Sequence, residues 1–148
     1  MTTITRLTRF LQSFRRFYTG RFAELAARSG LSMREIDVLL FLANHPGQDT
    51  ARDAVELRGL SKSQVSQAVE VLTRGGFLER RPDSRDRRVV HLAVTDAGGP
   101  LAKEAQVIQS DCGGALLEAL TEEEAVCFWR LLEKLMERAE SLTKEAAE

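Results

Sequence analysis

Residues 59–94 read GLSKSQVSQAVEVLTRGGFLERRPDSRDRRVVHLAV, and the two halves of this stretch follow different periods. In the first half Val65, Ala68, Val69 and Leu72 fall on one face at helical spacing. Ser61 stands three residues before Gln64, the arrangement in which a hydroxyl and a side-chain acceptor satisfy each other's backbone N–H groups at a helix start. Gly75-Gly76 ends the helix, because glycine takes the left-handed conformation of a C-terminal cap without steric cost. In the second half Phe77-Leu78-Glu79-Arg80-Arg81 reads as a strand, and Val90, Leu92 and Val94 alternate with His91 and Ala93 as its partner. The segment between them, Pro82 to Arg87, is a polar hairpin tip. Pro82 is tolerable there, since both strands of a two-stranded ribbon are edges.

Upstream, a short helix over about 51–58 brings Ala51, Ala54 and Val55 to one face before Gly59-Leu60 turns the chain. Ser32 and Glu35 form a second capping pair, which opens the apolar run Ile36, Val38, Leu39, Leu40, Phe41, Leu42. Asn44-His45-Pro46-Gly47 stops it. Over 4–28 the positions Ile4, Leu7, Leu11, Phe14, Tyr18 and Leu25, widened by Phe10 and Phe17, predict one long amphipathic helix. Downstream, Thr95 caps a helix to about residue 119, with Leu101, Ala105, Ile108, Cys112 and Leu116 on its stripe. Gly113-Gly114 should weaken or kink it, at roughly 1 kcal/mol per glycine. Thr121 and Glu124 open a last helix whose apolar face is Val126, Trp129, Leu132, Leu135, Met136, Ala139 and Leu142. The element order is that of a winged helix-turn-helix. The expected fold is therefore mainly α with a small two- or three-stranded β wing, divided into a terminal helix over 1–30, a winged lobe over 31–95 and terminal helices over 96–148.

Gly59 in the turn and Val65 six residues later let two helices cross closely. That leaves Lys62, Ser63, Gln64, Ser66 and Gln67 facing outward, the short or forked donors and acceptors that reach base edges in a major groove. The same residues are also compatible with a plain solvated helix face. The hairpin favours the nucleic-acid reading. Arg80, Arg81, Arg85, Arg87 and Arg88 crowd into nine positions, a self-repulsion that phosphate relieves through charge-assisted contacts. Asp83 and Asp86 among them can hold a guanidinium fork in a fixed direction. The net charge of −1 hides this asymmetry: residues 58–91 hold eight Lys/Arg against four acids, and residues 121–148 hold four against eight.

A catalytic reading lacks its constellation, because the chain's two histidines are His45, at a helix end, and His91, expected on the outer face of a wing strand. Cys112 and Cys127 are too few for a disulfide framework and have no metal-ligand spacing, so buried thiols are expected and neither metal nor cofactor is. No long uncharged apolar run and no leader pattern occurs, which predicts a cytoplasmic protein without a membrane partner.

Ser61-Lys62-Ser63-Gln64-Val65-Ser66, Leu72-x-x-x-Gly76-Phe77-Leu78-Glu79-Arg80, Asp83-x-Arg85-Asp86-Arg87-Arg88 and Val94-Thr95-x-x-Gly98 together resemble, in order and spacing, the signature of the MarR (multiple antibiotic resistance regulator) family. The wing is the most specific piece. The resemblance implies a homodimer with intertwined terminal helices that presents two winged modules to double-stranded DNA. Ser61, Lys62, Ser63, Gln64, Ser66 and Gln67 would be recognition-helix contacts, and Arg85, Asp86, Arg87 and Arg88 the wing contacts. Family members commonly repress transcription and release DNA when a small aromatic molecule binds, which implies such an effector here, with Phe10, Phe14, Phe17 and Tyr18 as candidate lining, although aromatics at helical spacing more often form dimer core. The chain departs from the family at Ala54 and Arg58, where larger apolar residues are usual, and at Gly113-Gly114. Two other readings stay open: a redox-responsive regulator acting through a cysteine, and a winged module that binds an acidic protein.

Overall fold

The structure is a computed structural model and describes residues 2–146. The elements run α1 (Thr3–Arg21), α2 (Ala23–Ser29), α3 (Met33–Asn44), α4 (Ala51–Arg58), α5 (Lys62–Arg74), β1 (Leu78–Pro82), β2 (Val90–Val94), α6 (Gly98–Leu117) and α7 (Glu122–Glu145). Reciprocal capping boxes at Ser32/Glu35, Ser61/Gln64 and Thr121/Glu124 start α3, α5 and α7 as their spacing predicts, and a further one at Thr50/Asp53 starts α4.

The expected single helix over 4–28 is two. Phe22 leaves helical register between α1 and α2, and its N–H closes a tighter turn onto the Thr19 carbonyl at 3.1 Å. The break puts the whole Phe22 side chain in the core at 0% exposure, next to Tyr18 at a ring separation of 4.9 Å. Burying a phenyl ring outweighs the helical hydrogen bond that the break forgoes.

Two compact units divide at Ser110 and Asp111. The first is built on Phe22, Leu25, Ile36, Leu39, Leu40, Val65, Leu72, Leu78 and Leu92, all buried. Here α3 and α4 pack on α5, and the antiparallel ribbon joins them in the register Leu78↔Val94, Arg80↔Leu92 and Pro82↔Val90. The wing has two strands plus one isolated bridge, Thr50↔His91. Strand β1 begins one residue later than the alternation predicts because Phe77 still belongs to the end of α5: its N–H bonds to the Leu72 carbonyl at 2.9 Å across Gly76, whose φ is +78°.

The Val94-Thr95-x-x-Gly98 motif has a packing reason. Thr95 Oγ1 donates to the Gly76 carbonyl at 2.5 Å and accepts from the Gly98 N–H at 3.1 Å, so the start of α6 is pressed against the end of α5. A Cβ at Gly98 would stand 2.3 Å from the Phe77 carbonyl oxygen, so only glycine fits.

The second unit comprises the end of α6 and α7. Helix α6 runs unbroken through Gly113-Gly114. Along α7, Val126, Trp129, Leu135 and Met136 are each more than half exposed. Among the described residues no helix is long and apolar enough to cross a membrane.

Candidate nucleic-acid interface

Helix α5 divides cleanly. Val65, Ala68, Val69 and Leu72 are buried, while Ser61, Lys62, Ser63, Ser66 and Gln67 are exposed along its N-terminal half. Gly59, with φ +69°, turns the chain out of α4, its N–H bonded to the Val55 carbonyl at 3.3 Å. Gln64 differs from the expected outward-facing reader. It is half-buried, its Oε1 accepts the Ser61 N–H at 3.0 Å, and its own N–H donates to Ser61 Oγ at 3.1 Å. Its amide oxygen therefore serves the cap that starts the helix.

The wing tip is folded by two aspartates. Asp83 Oδ1 accepts the backbone N–H groups of Arg85 and Asp86, both at 2.8 Å, and these bonds hold its carboxyl at about 2. Asp86 accepts the Arg88 N–H at 3.0 Å and grips its guanidinium with both oxygens at 3.2 Å, Nε on Oδ1 and Nη2 on Oδ2. That two-pronged pair is the orienting contact the sequence suggests, made to Arg88. Of the remaining wing arginines, Arg80 pairs with Glu70 at 3.4 Å and Arg81 pairs with Glu79. Arg85 and Arg87 are exposed and form no ion pair among the described residues. Between α4, α5 and the ribbon lies a hollow of about 660 Å³, lined among others by Lys62, Ser66, Arg80 and Val90.

His91 is not on an outer face. It is half-buried between two carboxylates, Nδ1 at 2.6 Å from Asp49 Oδ1 and Nε2 at 3.1 Å from Asp83 Oδ2. Sequence alternation placed it opposite Leu92 correctly but gave no sign of Asp49, which arrives from the loop before α4.

The four aromatic residues of α1 form a column, with ring separations of 6.4 Å for Phe10–Phe14 and 6.0 Å for Phe14–Tyr18. Of the four, Tyr18 lines a cleft of about 680 Å³, with Arg15, Met33, Arg34, Arg58 and Leu60 among its other walls. Arg58, at one of the departures from the family pattern, is ion-paired to Asp37 across α3 and α4. The expectation of two buried thiols holds for Cys112, but Cys127 is exposed on α7. On α7, the apolar Val126 and Trp129 beside it are exposed too.

Residues 29–89 match the family model described as "MarR family". Among curated proteins, the chain is 28% identical to the HTH-type transcriptional regulator BilQ of Clostridium symbiosum (strain WAL-14163) over 119 residues, 80% of this chain and 78% of BilQ. Among solved structures it resembles the transcriptional regulator PA3341, with a TM-score of 0.82, 23% identity and coverage of 95% of this chain and 99% of that one. It also resembles the S. aureus MepR–DNA complex, with a TM-score of 0.75, 19% identity and coverage of 93% and 99%. At these identities the structural likeness speaks for the fold.

Proposed function

We propose that the chain is a DNA-binding transcriptional regulator of the MarR family, the family whose model matches residues 29–89, and that it acts as a homodimeric repressor on a pseudo-palindromic operator. The observation that carries this reading is the pairing, on one lobe, of the exposed polar half of α5 with two wing arginines, Arg85 and Arg87, that no acid among the described residues neutralises. Such guanidinium groups supply charge-assisted phosphate contacts, and the exposed Ser63, Ser66 and Gln67 supply base-edge readers. A second copy is the proposed cover for apolar side chains left exposed on α1, such as Ile4 and Leu11, and on α7, such as Trp129 and Leu135. Sedimentation should give the mass of two chains at micromolar protein. Footprinting on the DNA flanking its own gene should give symmetric protection with half-sites about 10–10.5 base pairs apart. A one-chain mass, or a lone half-site bound as tightly, would overturn it. Affinity for duplex DNA that ignores salt would favour the protein-binding alternative instead.

A small aromatic acid is the effector class we propose, because the cleft beside Tyr18 combines apolar walls from Met33 and Leu60 with the guanidinium groups of Arg15 and Arg34. Calorimetry with a panel of aromatic carboxylates should show binding that Arg15→Ala and Arg34→Ala each weaken by about tenfold, the loss of one charged hydrogen bond. Unchanged binding in both variants places the effector elsewhere.

A further inference from the structure

A carboxylate only accepts hydrogen bonds, and a neutral imidazole has a single N–H to give. The His91 ring nevertheless has Asp49 Oδ1 at 2.6 Å from Nδ1 and Asp83 Oδ2 at 3.1 Å from Nε2, so satisfying both contacts takes two ring protons. Asp83 does not supply the second one, because the N–H groups of Arg85 and Asp86 keep it ionised. An imidazolium, with a proton on each nitrogen, is the form of the ring that fits this geometry. It joins three segments: the loop before α4 through Asp49, strand β2 on which it sits, and the wing tip through Asp83. The Asp49 carbonyl also accepts the Leu92 N–H at 2.7 Å, which fixes the loop beside the strand.

We infer that His91 is a positioning residue for DNA binding, a protonated staple that holds the wing tip and its arginines in place and releases them when the ring loses a proton. The inference rests on the DNA-binding reading of the wing. When one ring proton leaves, the shorter contact to Asp49 retains the other. Nε2 then presents a lone pair to the Asp83 carboxylate, and the carboxylate that folds the Arg85–Asp86 turn loses its anchor on β2.

The charged surroundings agree. Asp53 of α4, its carboxyl held low chiefly by Thr50, also feels the ring, while Asp49 and Asp83 are the carboxylates that act on it. Arg81, the cross-strand neighbour on β1, is paired with Glu79. Lys103 of α6 lines the hollow that Asp49 also borders, and His45 at the end of α3 is stacked on Phe41. Bonding to Asp49 first, and then to Asp83, raises the ring above its ordinary value of 6.5. A raised value makes the staple complete below the ordinary value and lost as pH rises through the raised one, whereas Asp83, lowered to about 2, fails only in strong acid.

The test has two arms. With two histidines in the chain, an NMR titration of the DNA-free protein resolves both rings, and His45→Gln assigns them. His91 should titrate above its ordinary value, and Asp49→Asn should bring it down. In the second arm, fluorescence anisotropy follows binding of a fluorescein-labelled mixed-sequence duplex from about pH 6 to about pH 9. Wild-type affinity should fall several-fold, at most about tenfold per pH unit for one linked proton. Asp49→Asn should move that fall to lower pH, and His91→Asn should give a flat, weakened profile. A His91 titration at or below the ordinary value overturns the staple, as does a wild-type pH profile shared by both variants. Absence of duplex binding at every pH in all three proteins removes the DNA-binding reading itself, an outcome the NMR arm separates from failure of the staple.

Discussion

Phe22→Ala is expected to lower the unfolding free energy by about 3–5 kcal/mol, the range for removing a buried phenyl ring and leaving its cavity. The side chain is completely buried at the joint between α1 and α2, with Tyr18 against it, so the ring ties the first helix to the lobe core. Small domains hold only about 5–15 kcal/mol in total, so this one change removes a large share of that stability. Urea denaturation reads it as a lower midpoint at unchanged slope. Phe22→Leu, which keeps most of the volume, should lose less than half as much. Equal losses in the two variants would mean that the aromatic contact, rather than the filled space, carries the stability.

Phe22 also shows where reading the sequence stops. The boxes at Ser32/Glu35, Ser61/Gln64 and Thr121/Glu124 are legible because a cap is a local event over four residues. The box at Thr50/Asp53 escapes the same search because its third position holds an aspartate where the familiar pattern has Glu or Gln. The break at Phe22 is only faintly signalled, by Gly20 two residues before it, and the helix yields where the core takes the ring. The pairing of His91 with Asp49 spans 42 residues, and no periodicity connects them. Gly98 is half legible. The motif marks it, but the reason for it, the Phe77 carbonyl within 2.3 Å of a would-be Cβ, exists only once α5 and α6 are packed. In the wing, composition revealed the arginine cluster, and only the folded tip separates Arg88, gripped by Asp86, from Arg85 and Arg87, which no acid among the described residues holds.

That separation sets the second large effect. Replacing Arg85 and Arg87 together by alanine should weaken binding to operator and mixed-sequence DNA alike, on the order of a hundredfold or more, since a charge-assisted hydrogen bond is worth about 1.5–3 kcal/mol. The log K against log salt slope should fall by up to about 0.9 per lost phosphate contact, because each contact releases condensed counterions. The recognition helix should behave otherwise. Gln64→Ala would mix a lost base contact with a lost cap, since its amide oxygen accepts the Ser61 N–H. Gln67, exposed and with no side-chain hydrogen bond among the described residues, is the cleaner probe. Its replacement should cost about 1–3 kcal/mol at one operator position and leave the salt slope unchanged, because an uncharged amide releases no counterion. Asp86→Ala decides whether the wing is a shaped device or a plain basic loop. Removing a negative charge beside DNA strengthens binding if the acid is incidental. Here Asp86 holds the Arg88 guanidinium with both oxygens and also accepts its N–H, so the substitution frees the fork and unties the tip. The expected result is weaker binding despite the more favourable net charge. Tighter binding by Asp86→Ala at every salt concentration would falsify the orienting role.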